Sequence, residues 1–277
     1  MQSAPDAVET SELVATLRTL PTRAGIAAQL LVLLENPEVT PHQVAQIIQT
    51  DPSLAARVLR LANSPYFGLN GSVASCTQAI VVLGFSVIRS LSVTSAVGLF
   101  GESGRGMPAG FWDHAARVAA GASLVAKHRG LPPGDAFSAG LLHDLGRALL
   151  FRHDPAVHME LEHEFGADSL ALCAAEREHF GMDHCEAAAI VLEQWRLPHA
   201  LVEAVRVHHR PFDEVDGRIA RFVMVGEALA DLEANEAHGP AIEPNEVLAA
   251  LPAPLVERIR RDMRGEMERI TSLFTIG

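Results

Sequence analysis

Apolar positions along this chain recur at three- and four-residue spacing almost throughout, and no segment alternates with period two for long enough to suggest a sheet. Residues 11–35 read as a helix interrupted at Leu20-Pro21, with Leu30, Leu31, Leu33 and Leu34 supplying an apolar face. Thr40-Pro41 starts the next helix, a capping residue followed by proline at the first helical position, and Asp51-Pro52 repeats the device. That third helix ends near Asn63-Ser64-Pro65, because proline disfavours helix in the residue before it. After a turn-rich loop at Tyr66–Ser75, the stretches Cys76–Leu83 and Phe85–Phe100 read as two helices separated by Gly84. Residues 101–110, GESGRGMPAG, read as a linker. Beyond it, helices are expected at about 112–129, 135–151, 155–165, 168–180, 184–194, 198–208, 216–235, 243–250 and 252–273.

The expected fold is therefore all-α and two-lobed. An N-terminal helical bundle over 12–100 and the linker at 101–110 precede a second helical bundle over 111–235, and further helices occupy 236–277. Composition agrees: 48% of the 277 residues are hydrophobic and only 5% aromatic, enough for a full core and poor in the aromatic residues that strands favour. The formal charge of −12, with no block rich in Lys and Arg, makes nucleic acid an unexpected partner. The helix-break-helix from Pro41 to Asn63 could be mistaken for a DNA-reading motif, but Arg57 and Arg60 are its only cations. The opening residues lack a basic segment followed by an apolar one, so no secretory signal is expected. The apolar run 76–100 is expected to be core or an interface between the two bundles, with no membrane partner, and the chain is expected to be cytoplasmic. Cys76, Cys173 and Cys185 form no CxxC pair and read as small buried residues of a reduced compartment.

Histidine changes the picture. The chain has 13, most of them in its second half. Leu141-Leu142-His143-Asp144-Leu145-Gly146 puts two ionisable side chains into otherwise apolar helical text, where each needs a partner. His114 lies upstream in FWDHAARVAA, His184 downstream in GMDHCEAAAIVLEQW, and His208-His209 follow in EAVRVHHRP. Imidazoles and a carboxylate without a cysteine cluster suit Fe, Mn, Ni or Zn, and such an ion could activate water toward a phosphoester. The same residues could instead form a hydrogen-bonded polar cluster holding no ion. His42, His128, His153, His158, His163, His179, His199 and His238 are expected on polar faces or at helix ends, in water. Asp183 and Glu186 are placed to orient the His184 imidazole or to remain solvated.

The order and setting of these residues resemble the HD superfamily of metal-dependent phosphohydrolases, and within it the HDOD domains, HD-related output domains of bacterial signalling proteins. The resemblance is carried by LPTRAGIAAQLL, IIQTDPSLAARVLRLANSPYFGL, SCTQAIVVLGFSVIRSL, FWDHAARVAAGASLVAK, AFSAGLLHDLGRALL and HFGMDHCEAAAIVLEQWRLPHALVEAVRVHHRP, over about residues 20–211. It implies an N-terminal helical bundle packed on an HD-like bundle. It also implies a regulatory module acting on a signalling protein partner or a small ligand, with His114, His143, Asp144, His184, His208 and His209 as candidate metal ligands. Two departures argue against catalysis, and metal-dependent phosphohydrolysis or cyclic-dinucleotide hydrolysis is the alternative. The Gly-Tyr-Pro motif of the cyclic-dinucleotide phosphodiesterases is absent from RPFDEVDGRIA after His209. The superfamily's last metal-binding aspartate aligns with Gly226, which has no ligand atom, and Glu227 and Asp231 are expected to point elsewhere.

Overall fold

A computed structural model describes residues 13–15, 17, 25–64, 67, 72–96, 108, 110–166, 169–236 and 246–264. Every regular element among them is helical. In chain order the helices are α1 (Ile26–Leu33), α2 (Pro41–Ile48), α3 (Pro52–Ala62), α4 (Cys76–Ala96), α5 (Phe111–His128), α6 (Gly134–Leu142), α7 (Leu145–His153), α8 (Pro155–Phe165), α9 (Ser169–Phe180), α10 (His184–Gln194), α11 (His199–Val207), α12 (Arg218–Glu236), α13 (Glu246–Ala249) and α14 (Ala253–Arg264). A 3-10 turn, Phe212–Glu214, joins α11 to α12.

Local chemistry sets most of these boundaries. At α2 the Thr40 hydroxyl accepts from the Gln43 amide and the Gln43 side chain accepts from the Thr40 amide, closing a reciprocal cap in front of Pro41. Asp51 accepts from the Ser53 and Leu54 amides at 2.9 and 3.1 Å to start α3, and Asp154 does the same for Ala156 and Val157 at α8. Gly84 interrupts α4 with a φ of 78°, which L side chains rarely adopt, so Cys76–Leu83 and Phe85–Ala96 are separate helical segments, as the hydrophobic pattern predicts. This element alone, among the described residues, is long and apolar enough to cross a membrane, and it lies mostly buried within the protein.

The core crosses the expected boundary between the bundles. Leu30, Ile48, Val58, Leu83 and Leu91 of α1–α4 share one apolar cluster with Ala119, Phe137, Leu141, Leu229 and Met263. A second cluster joins α7, α10, α11 and α12 through residues such as Leu150, Leu192, Val205 and Val223. Most of the 101–110 linker and the ends of the C-terminal 236–277 segment lie outside the described residues, as do the Leu20-Pro21 interruption and His238. Arg57 faces inward and is 9% exposed, which leaves Arg60 as the exposed cation of α3.

Helix α5 is the axle of the second bundle. Its small residues, among them Ala115, Ala116, Ala119, Ala120 and Ala122, let neighbours approach until backbones touch. Gly226 of α12 sits in that contact: a Cβ there would lie 2.6 Å from the Val118 carbonyl oxygen and 2.7 Å from the Ala122 nitrogen. Backbone cannot yield as a flexible side chain does, so Gly226→Ala is expected to lower the unfolding free energy by about 1–3 kcal/mol in chemical denaturation, the range for overpacking a tight contact.

Candidate metal centre

Four helix ends converge on one point. His114 stands in the first turn of α5, while His143 and Asp144 form the two-residue break between α6 and α7. His184 opens α10, and His208 and His209 follow directly after α11. The sequence pattern predicts one helix over 135–151. The chain instead breaks at His143-Asp144, and Asp144 adopts φ −94° and ψ 12°. Although Asp144 occupies the capping position of α7, its side chain caps nothing, because it turns toward the imidazoles. Gly146 brings α7 against the start of α10: a Cβ there would fall 1.8 Å from the His184 carbonyl oxygen, so no larger residue allows this approach.

The Asp144 carboxylate divides the histidines into two pairs. Its Oδ2 lies 3.6 Å from His114 Nε2 and 3.5 Å from His143 Nε2, and those two nitrogens are 3.2 Å apart. Its Oδ1 lies 3.6 Å from His184 Nε2 and 3.7 Å from His208 Nε2. The two histidine nitrogens are within hydrogen-bond reach of each other, whereas the four separations from Asp144 exceed hydrogen-bond length. Asp144 Oδ1, His184 Nε2 and His208 Nε2 are buried and have no hydrogen-bond partner. His143, Asp144, His184 and His208 are fully or almost fully buried, whereas the His114 side chain is 29% exposed and opens the site to solvent.

The outer ring nitrogens fix how the inner ones are aimed. His143 Nδ1 donates to the Gly140 carbonyl at 2.7 Å and His208 Nδ1 to the Val205 carbonyl at 2.7 Å. A carbonyl only accepts, so each Nδ1 carries a proton and each Nε2 turns inward; burial keeps the His143 ring neutral, whereas Asp144 and Glu227 raise His208 against burial. His184 Nδ1 is held at 2.6 Å by Glu176, which also accepts from the His184 amide at 2.9 Å. Imidazoles anchored through Nδ1, with Nε2 turned toward a shared carboxylate, are the arrangement in which histidines, once deprotonated at Nε2, bind transition metals. The donor set therefore fits such an ion, with the imidazole and carboxylate chemistry that Zn, Fe, Mn and Ni accept.

Charge balance is tight. Burial would raise the Asp144 carboxyl, but His143, Arg147, His208 and His184 hold it well below the usual carboxylate range. Arg147 Nη1 donates to Asp144 Oδ2 at 2.9 Å and its Nε to Glu162 at 2.9 Å. Burial depresses His143 to about 3 against the pull of Asp144. At His184 burial acts the same way, but the Glu176 charge and hydrogen bond, with Asp144, outweigh it and lift the ring to about 9.

Helix α12 requires a correction. Gly226 faces the α5 backbone, and the next residue, turned by about 100° on the helix, enters the site. Glu227, His143 and His208 each offer a ligand atom within 4.8 Å of the others, and Glu227 Oε1 lies 3.6 Å from His209 Nδ1. Asp231, one turn on, sits at the exposed rim, where partial desolvation pushes its carboxyl up against the pull of His114. One carboxylate, Glu227, thus does enter the site, one residue beyond the aligned position.

Other expectations shift as well. His158 is buried against Phe151 with neither ring nitrogen hydrogen-bonded and its Nε2 3.8 Å from Glu162 Oε1, because α8 lays that face onto α7. His42, His153, His163, His179 and His199 are exposed, and His128 is partly exposed, 3.5 Å from Asp262. Asp183 caps α10 by accepting from the Glu186 amide and pairs with Arg177, while Glu186 pairs with Arg206. The partner of His184 is Glu176, whose only sequence signal is an acid among the apolar residues of LALCAAEREHF.

Glu227 generates a pH signature. Burial, with the charges of Asp144 and Asp231, pushes its carboxyl up from 4.5 to about 8. Between those pH values the unfolded chain ionises while the folded one keeps the proton, so Glu227 costs stability as pH rises through this window. Glu227→Gln removes this contribution, so the metal-free variant is expected to gain stability relative to metal-free native protein from pH 4.5 to about 8 in denaturant titrations.

Comparison with known proteins places the fold. The HDOD domain family matches residues 20–211. A solved structure from Shewanella amazonensis, described as a candidate phosphohydrolase, aligns with a TM-score of 0.73 at 26% identity over 98% of this chain and 99% of that one. An HDOD domain protein of unknown function from Geobacter sulfurreducens aligns with a TM-score of 0.66 at 24% identity over 97% and 98%. An uncharacterized Treponema pallidum protein is 25% identical over 178 residues, 64% of this chain and 35% of that protein, so the chain spans about a third of that curated relative. The family match runs from the N-terminal helices through the paired histidines after α11, and by it this chain belongs to the HDOD domain family.

Proposed function

We propose that this chain is a regulatory output module whose Asp144 centre binds a divalent transition ion and, through it, a small phosphoryl ligand. The observation that carries the reading is the pairing at Asp144, with one oxygen toward His114 and His143 and the other toward His184 and His208. His114, His143 and Asp144 would hold an ion on one side, and Asp144, His184 and His208 on the other. When bound, such an ion supplies Lewis acidity toward a phosphoryl oxygen or a water. Membership in a family of signalling output domains supports the regulatory role.

The surrounding residues have separate tasks. Arg147 keeps Asp144 ionised and fixes one of its oxygens. Glu176 fixes the His184 ring. Glu227, protonated near neutral pH, can donate a hydrogen bond to a ligand oxygen. The half-exposed His114 and the rim carboxylate Asp231 mark the side from which a ligand enters. Hydrolysis is the second reading, favoured by the Glu227 carboxylate that α12 brings to the site and by the description of the Shewanella relative.

Native protein purified without chelator is expected to contain Fe, Mn, Ni or Zn by elemental analysis, and Asp144→Asn to lose it. Glu176→Gln is expected to weaken metal binding by about 10–100-fold, the usual effect of removing a partner behind a metal-binding histidine. Retention of a phosphate ester without turnover of bis(p-nitrophenyl) phosphate supports the binding module. Turnover that disappears in Asp144→Asn supports the hydrolase, and metal-free native protein contradicts both.

A further inference from the structure

Behind the Asp144 centre lies a cavity of about 430 Å³ between α9, α10 and the end of α11. Its lining includes Cys173, Cys185 and His209. Both cysteines are buried and free, at 2% and 4% exposure, although they come from different helices. One ligand atom from each of Cys173, Cys185, His184 and His209 lies within 4.8 Å of the others. His184 is committed elsewhere, with Nδ1 on Glu176 and Nε2 toward Asp144. That leaves two sulfurs and one imidazole facing the same cavity.

We propose that Cys173, Cys185 and His209 form a second metal site, specific for thiophilic ions such as zinc, cadmium or cuprous copper, with the cavity providing an open fourth position. The chemistry of the donors separates it from the Asp144 centre. Thiolate selects soft and borderline ions, whereas four imidazoles around a carboxylate also accept manganese and iron. The distances suit it: with Zn–S near 2.3 Å and Zn–N near 2.0–2.1 Å, ligand atoms on a tetrahedral ion stand roughly 3.3–3.8 Å apart. Donors already within 4.8 Å need to close by only about 1 Å. Each thiol releases its proton to solvent as its sulfur–metal bond forms, and no oxidant is required.

His209 gives the site a consequence. It also lies within ligand range of Asp144, His184 and His208, and its Nδ1 faces Glu227. A soft ion on the cysteines draws on a residue at the edge of the first centre, so loading one position biases the other. The site itself does not depend on the Asp144 centre being occupied.

The test is a cadmium titration of metal-free full-length protein, following the ultraviolet thiolate-to-cadmium charge-transfer band. The expected result is a band that saturates at a single equivalent, disappears in Cys173→Ser and Cys185→Ser, and persists in Asp144→Asn, with circular dichroism showing each variant folded. Manganese binding, read by electron paramagnetic resonance, is expected to survive Cys173→Ser, so that failure of the thiol site and failure of the Asp144 centre are seen separately. A missing band in native protein at saturating cadmium, a band that survives loss of either cysteine, or one lost from folded Asp144→Asn would overturn the proposal.

Discussion

One buried carboxylate organises this molecule. Asp144 is almost fully enclosed, yet four imidazole nitrogens and a guanidinium surround it. A carboxylate in such a place persists only where compensating charge and hydrogen bonds outweigh desolvation, and removing one partner of a buried ion pair commonly costs about 3–5 kcal/mol. Here the Arg147 contact satisfies one oxygen while the other is left without a hydrogen bond, opposite two nitrogens in the same condition. Three polar atoms that converge in the interior without a hydrogen bond among them leave a place for a ligand beside the carboxylate.

The fold can be read as the means of bringing these groups together. His114, His143-Asp144, His184 and His208 all sit at helix ends, where the chain turns and a side chain can leave the helical surface. The helices must then approach closely enough for the ends to meet. Gly226 lets α12 touch the α5 backbone, and Gly146 lets α7 touch the start of α10. The first contact rotates Glu227 into the site, and the second sets Asp144 opposite His184. Helices α1–α4 contribute no ligand to the Asp144 cluster, but they share an apolar cluster with α5, α6 and α12, so a partner docking on them would press on the elements that carry the ligands.

What could be read from the sequence follows from the range of the forces involved. Thr40-Pro41 and Asp51-Pro52 announce helix starts because a cap is satisfied by residues two or three positions away. The six candidate ligands stand out because polar side chains in apolar helical text demand partners, and all six do gather in space. Glu227 was illegible because its direction depends on how α12 rotates against α5, which only the close contact at Gly226 decides. Glu176 was hidden for a similar reason: nothing local distinguishes it from the exposed Glu178 two residues later. His158 looks like a residue of a polar face until α8 is laid on α7. The break at His143-Asp144 carries no proline and no capping bond, so the apolar pattern ran through it.

The central proposal is that Asp144 and the imidazole pairs on either side of it would hold divalent metal ions. Crystals grown with manganese, with anomalous diffraction collected on both sides of the metal absorption edge, test it directly. The account predicts anomalous density beside Asp144 Oδ1 between His184 and His208, and beside Oδ2 between His114 and His143. Ordered water or direct hydrogen bonds in both places, with no anomalous signal at saturating manganese, would contradict it.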